Sequence, residues 1–357
     1  MMEKIFVKSS THTYPIIINT DIRKRLATYF QKDYSKVFVI TDEQVAELYL
    51  KDVLQSLSNY QVIHSVVPSG ERSKSIEVYF QLQTTAIEGG LDRKSLIIAL
   101  GGGVVGDLAG FVAATFMRGI DYIHVPTTIL AHDSSVGGKV AINHHLGKNL
   151  IGSFYPPRAV LYDLATLKTL PISEVRSGYA EIIKEALIAN KELFDELIKV
   201  DLQQLSTDDL ACHIYQGIQI KKAIVERDEK ESFERMYLNL GHTLGHALEI
   251  AQKMLHGEAV AIGLLFSLFI SEQLFDVNLP INDLYKWLNK NNYPLHIDAS
   301  SKQEILHLIL QDKKGTKGKI YFVLLKDLAD PQVHSLKEIE VEQFLERFIP
   351  LLNGGTL

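Results

Sequence analysis

Short β-rich runs alternate with helical stretches in the first half of the chain, and this alternation is the feature that most constrains the fold. The strand-like runs are residues 37–40, 62–67, 96–100 and 120–125, and the helical stretches are residues 42–57 and 74–88. Strands that alternate with helices form βαβ units around a mostly parallel sheet. The first half is therefore predicted to be an α/β domain.

The second half has long helical patterns and almost no strand-like runs. These patterns cover residues 173–190, 208–226, 242–254 and 258–273. Pro156, Pro157 and Pro171 lie at the changeover, and a chain of 357 residues is long enough for two domains. We expect an α/β domain at residues 1–170 and an all-helical domain at residues 171–357. The default place for a ligand site is the cleft between them.

Composition excludes several classes of protein. The single cysteine, Cys212, rules out a disulfide framework and is typical of a reducing cytoplasm. The longest apolar stretch, residues 259–270, is shorter than the roughly 20 residues of a membrane helix. The net charge is −6, and no basic stripe interleaved with aromatic residues occurs. Nucleic-acid binding and a membrane partner are therefore not expected.

A glycine-rich turn follows the strand-like run at residues 96–100. The sequence GGGVVGD at residues 101–107 matches the pattern G-x-G-x-x-G, in which backbone N–H groups and a helix N-terminus approach a pyrophosphate. Asp107 follows at once, whereas the usual acidic residue comes about 20 residues later. A tight turn required by packing alone is the alternative interpretation.

Two further glycine turns carry a lysine beside a glycine. They are DSSVGGK at residues 133–139 and GKN at residues 147–149. Lys139 and Lys148 suit a phosphate or carboxylate, Asn149 adds a neutral donor, and Asp133 suits a hydroxyl. Solvated surface lysines are the alternative interpretation, although three glycine turns within fifty residues favour an anion site.

The second half contains the candidate metal ligands. His242 and His246 are four residues apart on one predicted helix, and His256 precedes the next one. Two histidines and one carboxylate leave a coordination position open, as in a catalytic site. The residues alone do not choose between His246 and His256. They also leave the carboxylate open among four candidates: Glu181, Glu185, Glu249 and Glu258.

Basic and amide side chains accompany these histidines in an otherwise acidic chain. The residues in question are Lys184, Lys221, Lys222, Arg235 and Asn239. Their concentration predicts a small, polyanionic substrate. The run KKGTKGK at residues 313–319 is either a solvated loop or an anion clamp.

The chain resembles the 3-dehydroquinate synthase family over nearly its whole length. The ordered motifs are PSGERSK at 68–74, GGGVVGD at 101–107, FMRG at 116–119, VPTTILA at 125–131, DSSVGGK at 133–139, GKN at 147–149, YAEIIK at 179–184, LNLGHTLGHALE at 238–249, HGEAVAIG at 256–263 and DKK at 312–314. The wider sugar-phosphate cyclases and the metal-dependent polyol dehydrogenases share the two-domain plan and part of this pattern. The resemblance implies a Rossmann-like nucleotide-binding domain followed by a helical domain for metal and substrate.

The resemblance also implies a role for particular residues. NAD would be contacted by Ser69, Gly70, Glu71, Arg72, Ser73, Lys74, Gly103, Val104, Val105, Gly106, Asp107, Thr127, Thr128, Lys139, Lys148, Thr166, Leu167, Lys168 and Thr169. A divalent metal, zinc or cobalt, would be held by Glu181, His242 and His256. The substrate pocket would comprise Asp133, Lys184, Lys221, Arg235, Asn239, His246 and Lys313, with Asn149 and Arg118 on the phosphate.

The implied reaction converts 3-deoxy-D-arabino-heptulosonate 7-phosphate to 3-dehydroquinate and phosphate in the shikimate pathway, with NAD regenerated in each turnover. The implied assembly is a cytoplasmic homodimer in which Arg118 reaches the neighbouring subunit's site. A polyol dehydrogenase, a cyclase for another sugar and a non-catalytic NAD sensor are the alternatives. Two departures from the family pattern are His132, where a small or apolar residue is expected, and TDEQ at 41–44, which lacks an asparagine near the adenosine.

Overall fold

The structure is a computed structural model that describes residues 3–312, 319–355 and 357. It contains two compact units. The first comprises Met1–Leu170 and Leu210–Lys230, and the second comprises Pro171–Asp209 and Glu231–Leu357. Lys313 and the rest of residues 313–318, predicted as an anion clamp or a loop, lie outside the described residues.

Strands and helices alternate through the first unit, as predicted, and the second unit consists mainly of helices. The strands are β1 (Glu3–Lys8), β2 (Thr13–Asn19), β3 (Val37–Asp42), β4 (Val62–Val67), β5 (Leu96–Gly101), β6 (Asp121–Pro126), β7 (Lys139–His144), β8 (Gly147–Phe154), β9 (Ala159–Asp163), β10 (Lys319–Asp327) and β11 (Asp330–Lys337). The α-helices are α1 (Glu43–Val45), α2 (Lys51–Ser56), α3 (Ile76–Glu88), α4 (Gly103–Thr115), α5 (Ala131–Ser134), α6 (Ile172–Ala189), α7 (Lys191–Leu197), α8 (Thr207–Arg227), α9 (His242–Ala251), α10 (His256–Phe275), α11 (Ile281–Lys290), α12 (Lys302–Asp312) and α13 (Glu338–Gly354). A π-helical turn, Ala46–Leu50, joins α1 to α2.

The core of the first unit is a seven-stranded sheet in the order β1-β2-β9-β6-β5-β3-β4. Every pair is parallel except β1–β2. All six residues of β5 are buried, with Ile97 and Ala99 packed in one apolar cluster and Leu96, Ile98 and Leu100 in another. Both faces of the sheet are covered, which explains why this strand has a continuous apolar sequence.

The strand order places a crevice at the carboxyl ends of β3 and β5. Strand β3 lies between β4 and β5, so the chain leaves β3 to one side and later returns on the other. At such a switch point, the loops after neighbouring strands diverge, and ligands bind between them. The glycine turn GGGVVGD follows β5 directly and opens helix α4.

Apolar helices form the core of the second unit. Helix α10 is the most buried of them, with every residue from Gly257 to Ser271 buried. Of the described residues, this helix alone has the length and apolarity of a membrane span, and 78% of its most apolar window is buried inside the protein. Its composition therefore reflects a position at the centre of the unit.

The structure adds two features to the sequence predictions. An antiparallel hairpin, β10–β11, lies in the part predicted to be all-helical. The segment Leu210–Lys230, predicted in the second domain, belongs to the first unit. Within that unit, Glu226 accepts a hydrogen bond from the Lys8 backbone N–H (2.7 Å), and Glu229 accepts one from that of Ser10 (2.8 Å). These contacts join residues far apart in sequence, which local patterns do not reveal.

Candidate functional site

Four of the predicted cofactor-binding segments begin at the carboxyl ends of parallel strands in the first unit. The segment 69–74 follows β4, 103–107 follows β5, 127–128 follows β6, and 166–169 follows β9. Because these strands run parallel in one sheet, with β9, β6 and β5 adjacent and β3 between β5 and β4, the loops share one edge. The arrangement is that of a dinucleotide site on an open α/β sheet.

A buried lysine connects three of the predicted segments. Lys74 is 3% exposed, and its Nζ lies 2.7 Å from Oδ2 of Asp107 and also contacts Oδ1 of Asn149. Burial raises the pKa of the Asp107 carboxyl, whereas the adjacent Lys74 ammonium lowers it. Lys74, a predicted NAD contact in the loop after β4, thus touches Asn149, which was predicted to bind the substrate's phosphate.

A second ion pair joins Asp133 to Lys221. The Lys221 Nζ lies 2.7 Å from Oδ2 of Asp133, and the Lys221 side chain is 7% exposed. Asp133 lies on the short helix α5, whereas Lys221 lies on α8. This ion pair joins α8 to the first unit, although α8 is distant in sequence from Asp133.

The hairpin β7–β8 carries the two lysines of the remaining glycine turns. Lys139 begins β7, Lys148 lies in β8, and both are exposed. Asn149 adopts a left-handed conformation (φ 57°) and its backbone N–H donates to Oδ1 of Asn143 (2.9 Å). A non-glycine residue in this conformation is uncommon, and such residues cluster at ligand sites.

The segment TDEQ at 41–44 contacts the loop after β4. The Ser69 hydroxyl donates to Oδ1 of Asp42 (3.3 Å), and the Arg72 guanidinium lies 3.1 Å from Oε2 of Glu43. Sequence reasoning missed these contacts because they join residues about 27 positions apart without a motif. His132, the other departure from the family pattern, is fully buried, and its Nδ1 lies 2.7 Å from the Ile129 carbonyl oxygen.

In the second unit, two histidines converge on one carboxylate oxygen. Nε2 of His242 and Nε2 of His256 each lie 3.5 Å from Oε1 of Glu181. Glu181 lies on α6 and is 1% exposed, while the histidines begin α9 and α10. Two imidazole nitrogens and a carboxylate oxygen form a donor set that suits zinc or cobalt.

The opposite ring nitrogens of these histidines have acceptors of their own. Nδ1 of His242 lies 3.1 Å from the Leu240 carbonyl oxygen, and Nδ1 of His256 lies 3.0 Å from Oε2 of Glu249. Each Nδ1 is thereby held, which turns the Nε2 edge of each ring toward Glu181. Sequence reasoning considered Glu249 only as a ligand, and the structure shows it as a hydrogen-bond acceptor of His256.

The other candidate ligands have different surroundings. Glu258 pairs with the Arg176 guanidinium at 2.6 Å. His246 lies one turn along α9, and its ring centroid is 5.3 Å from that of His242. A second set of donors, His246, Glu249 and His256, also lies close enough for a metal ion. Within this set, Nδ1 of His256 contacts Glu249.

The electrostatics differ between the two converging histidines. Burial lowers the pKa of His242 to about 3. Burial also acts to lower the pKa of His256, but hydrogen bonds to Glu181 and Glu249 outweigh it and raise the value to about 10. The two carboxylates therefore stabilise positive charge at His256, the position where a cation would sit.

Three more predicted residues are buried or half-buried in the second unit. Lys184 is 1% exposed and its Nζ contacts Oε2 of Glu181 one helical turn away. Arg235 is 1% exposed, and Asn239 Nδ2 donates to Oε1 of Glu231 (3.0 Å). Buried cations are rare unless paired, and Lys184 has its partner in Glu181.

Close backbone contacts fix the helices that carry Glu181 and the histidines. At Gly257, a Cβ atom would lie 2.0 Å from the Ser177 carbonyl oxygen on α6. At Gly263, it would lie 1.9 Å from the carbonyl oxygen of Gly241, which precedes His242. Only glycine permits α10 to approach both neighbours this closely.

Comparisons with known proteins identify the family of this chain. The family described as 3-dehydroquinate synthase N-terminal matches residues 64–177, and that described as 3-dehydroquinate synthase C-terminal matches residues 178–315. A 3-dehydroquinate synthase of Oceanobacillus iheyensis is 55% identical over 353 residues, which is 98% of each chain. That of Bacillus pumilus is 45% identical and covers 97% of this chain and 98% of its own.

A solved structure shows the same fold with ligands. It is 2-deoxy-scyllo-inosose synthase complexed with carbaglucose-6-phosphate, NAD+ and Co2+. It is 26% identical, has a TM-score of 0.88, and covers 97% of this chain and 100% of its own. With both halves of the family matched and a curated relative at 55% identity over nearly the full length, the chain belongs to the 3-dehydroquinate synthase family of enzymes.

Proposed function

We propose that this chain converts 3-deoxy-D-arabino-heptulosonate 7-phosphate to 3-dehydroquinate and phosphate, with NAD and a divalent metal as resident cofactors. The observation that carries the proposal is the convergence of His242 and His256 on Glu181, in a chain that matches the family along its length. Zinc and cobalt are the proposed ions. The cytoplasm is the proposed compartment, in keeping with a single exposed thiol, Cys212.

The residues present fit both cofactors. The glycine turn is too crowded for side chains, since a Cβ at Gly103 would lie 2.7 Å from the Ser134 hydroxyl oxygen, so a ligand meets bare backbone N–H groups. The three converging donors of the second unit leave coordination positions open for substrate oxygens. When bound, NAD supplies a reversible hydride acceptor and the metal polarises the oxygen of the carbon that is oxidised.

The buried polar residues bind and orient the substrate. We assign Asp133 and Lys221 to substrate hydroxyls, with the ion pair holding Asp133 ionised as an acceptor. Lys184 neutralises Glu181, which keeps that carboxylate ionised in its buried position. Arg235, Asn239 and His246 of the second unit are assigned to substrate binding by resemblance to the family.

Phosphate elimination requires groups that hold the leaving phosphate. Asn149 and Arg118 are the proposed phosphate ligands. Lys139, also a predicted NAD contact, and Lys313 of the predicted substrate pocket complete the phosphate clamp. The planar guanidinium of arginine donates two parallel hydrogen bonds to a phosphate, and the lysine ammonium supplies a compact positive charge. A polyol dehydrogenase would have no use for this clamp, so these residues favour the cyclase over the dehydrogenase.

We propose a homodimer in which Arg118 serves the partner's phosphate. Met117, Arg118 and Gly119 have consecutive positive φ angles of 48°, 69° and 117°, a strained turn of the kind found at functional sites. Arg118 is exposed, and within the described ranges it makes no hydrogen bond or ion pair. Nearby strand β8 exposes Leu150 (64%) and Phe154 (44%), apolar surface that suits a second copy.

The reaction is expected to be redox-neutral. Hydride that leaves the substrate must return to it, so phosphate and 3-dehydroquinate should appear in equal amounts without net NADH. The test supplies the heptulosonate phosphate with substoichiometric NAD+ and metal, then measures phosphate, 3-dehydroquinate and NADH absorbance. One equivalent of NADH per product indicates a dehydrogenase instead, and turnover only with another sugar phosphate indicates a different cyclase.

Glu249 is expected to support the metal site without holding the ion. Glu249→Ala removes the acceptor that orients His256, so metal affinity should fall about 10- to 100-fold, the usual effect of such a partner. Glu249→Gln retains an acceptor oxygen and should lose less. Competition with a chromophoric chelator measures both affinities. Complete loss of the ion in Glu249→Gln contradicts this and assigns the site to His246, Glu249 and His256.

A further inference from the structure

A buried histidine lies directly beneath the glycine turn. His124 is in the middle of β6 and is 3% exposed. Its Nε2 lies 3.2 Å from the carbonyl oxygen of Gly101, the last residue of β5. The same oxygen accepts a hydrogen bond from the Thr127 backbone N–H at 3.2 Å. One carbonyl at the start of the turn is therefore held from two sides.

The imidazole also sets the distance between the sheet and helix α4. A Cβ at Gly106 would lie 2.4 Å from Cε1 of His124 and 2.8 Å from its Nε2. Gly106 is the third glycine of the G-x-G-x-x-G pattern, the position associated with close helix–strand packing. In this chain the group that occupies the space below it is an imidazole, and the first turn of α4 rests against the ring.

His124 is neutral at physiological pH. Burial lowers its pKa to about 4, although hydrogen bonds to the backbone of Gly101 and Gly102 act in the opposite direction. A neutral imidazole carries one N–H, and only a ring with its proton on Nε2 donates to the Gly101 carbonyl. The contact thus specifies one tautomer.

This hydrogen bond determines the direction of a backbone donor in the turn. In a trans peptide the C=O and the following N–H point to opposite sides. With the Gly101 carbonyl directed at His124 and Thr127, the N–H of Gly102 is directed away from them. We expect it to point the same way as the first N–H groups of α4, which have no acceptor within the helix.

We propose that His124 is a positioning residue for the dinucleotide pyrophosphate, because it holds the Gly101–Gly102 peptide and the first turn of α4 in the orientation that presents their N–H groups. The inference rests on the proposed function, since the ligand is NAD. His124 itself touches protein backbone only, so it acts through the glycine turn and takes no part in the chemistry.

The test compares two substitutions at this position. His124→Leu keeps a similar volume without a donor, and the dissociation constant of NAD+ should rise about fivefold to tenfold, the effect of one lost hydrogen bond. His124→Gln retains an N–H that can donate to Gly101 and should bind NAD+ within about twofold of the wild type. Titration calorimetry with metal-loaded protein gives both constants, and metal content should be unchanged.

Tyr122 offers a matched control on the same face of β6. A Cβ at Gly110, one helical turn beyond Gly106, would lie 3.2 Å from the Tyr122 ring, so Tyr122→Leu disturbs the same helix–strand interface away from the turn. It should lower the melting temperature and leave NAD+ affinity unchanged. Equal NAD+ binding by folded His124→Leu and wild type overturns the inference. Absence of NAD+ binding by the wild type overturns the proposed function instead.

A spectroscopic measurement covers the case in which His124→Leu does not fold. Nitrogen-15 spectra of histidine-labelled wild type and His124→Gln identify the His124 signals by difference. A neutral Nε2–H tautomer that persists when NAD+ is added supports the inference. A proton on Nδ1, or a ring that titrates as an exposed histidine does, contradicts it.

Discussion

Glu181→Ala and His256→Ala are expected to leave the protein without bound metal and about a thousandfold or more less active. Each variant removes one of the three protein donors found among the described residues, and the metal's charge stabilisation is worth several kcal/mol. His246→Ala should keep the metal and still lose activity, because His246 is proposed to contact substrate beside a site that it does not hold together. Metal analysis after gel filtration distinguishes the two classes.

His334 provides a control for the loss of a histidine as such. It lies on β11 with its ring 5.9 Å from that of Phe275, in the same unit. His334→Ala should retain both metal and activity. If His246→Ala loses the ion as fully as His256→Ala, the ligand assignment is wrong and the alternative set of donors holds the metal.

Arg118→Ala and Lys139→Ala are each expected to be nearly inactive, yet a mixture of the two should recover activity. If Arg118 serves the partner's site, a mixed dimer has both lesions in one site and an intact second site. Random assortment makes half of the dimers mixed, and half of their sites work, so about a quarter of wild-type activity should return. Activity is measured after subunit exchange at equal concentrations.

Lys139→Ala mixed with Lys221→Ala is the matched control. Both residues are proposed to act within their own subunit, so their mixture leaves a defect in every site and should stay inactive. Subunit exchange is verified with differently tagged chains. Exchange without recovered activity for the Arg118 mixture shows that Arg118 acts within its own chain or not at all.

Local sequence patterns predicted the elements that have a regular apolar sequence. The continuous apolar run of β5 and the periodic pattern of α6 appear in the structure within one or two residues of their predicted bounds. The glycine turn was found because its chemistry is local, with backbone geometry set by neighbouring residues. The wholly buried strand and the glycine turn are the features that one short stretch of sequence determines.

Contacts between distant segments were the part that local patterns could not reveal. Lys221 was predicted among the second domain's helices, but it pairs with Asp133 in the first unit. The hairpin β10–β11 alternates only weakly, with half-buried residues along most of β11, so it lacked a strand signal. His124 was passed over for a similar reason, since one polar residue in an apolar strand has no motif to identify its partner.

The glycine contacts of α10 have a consequence for the exchange of metal ions. Because backbone packing at Gly257 and Gly263 places the ligand-bearing helices, we expect the folded chain to form the site before an ion binds. Binding free energy is then not consumed in ordering the polypeptide, unlike in domains that fold only around their metal. Such a site releases one ion and accepts another without refolding. Which ion it carries is set by the competition among available metals, with their differing intrinsic affinities for nitrogen and oxygen donors.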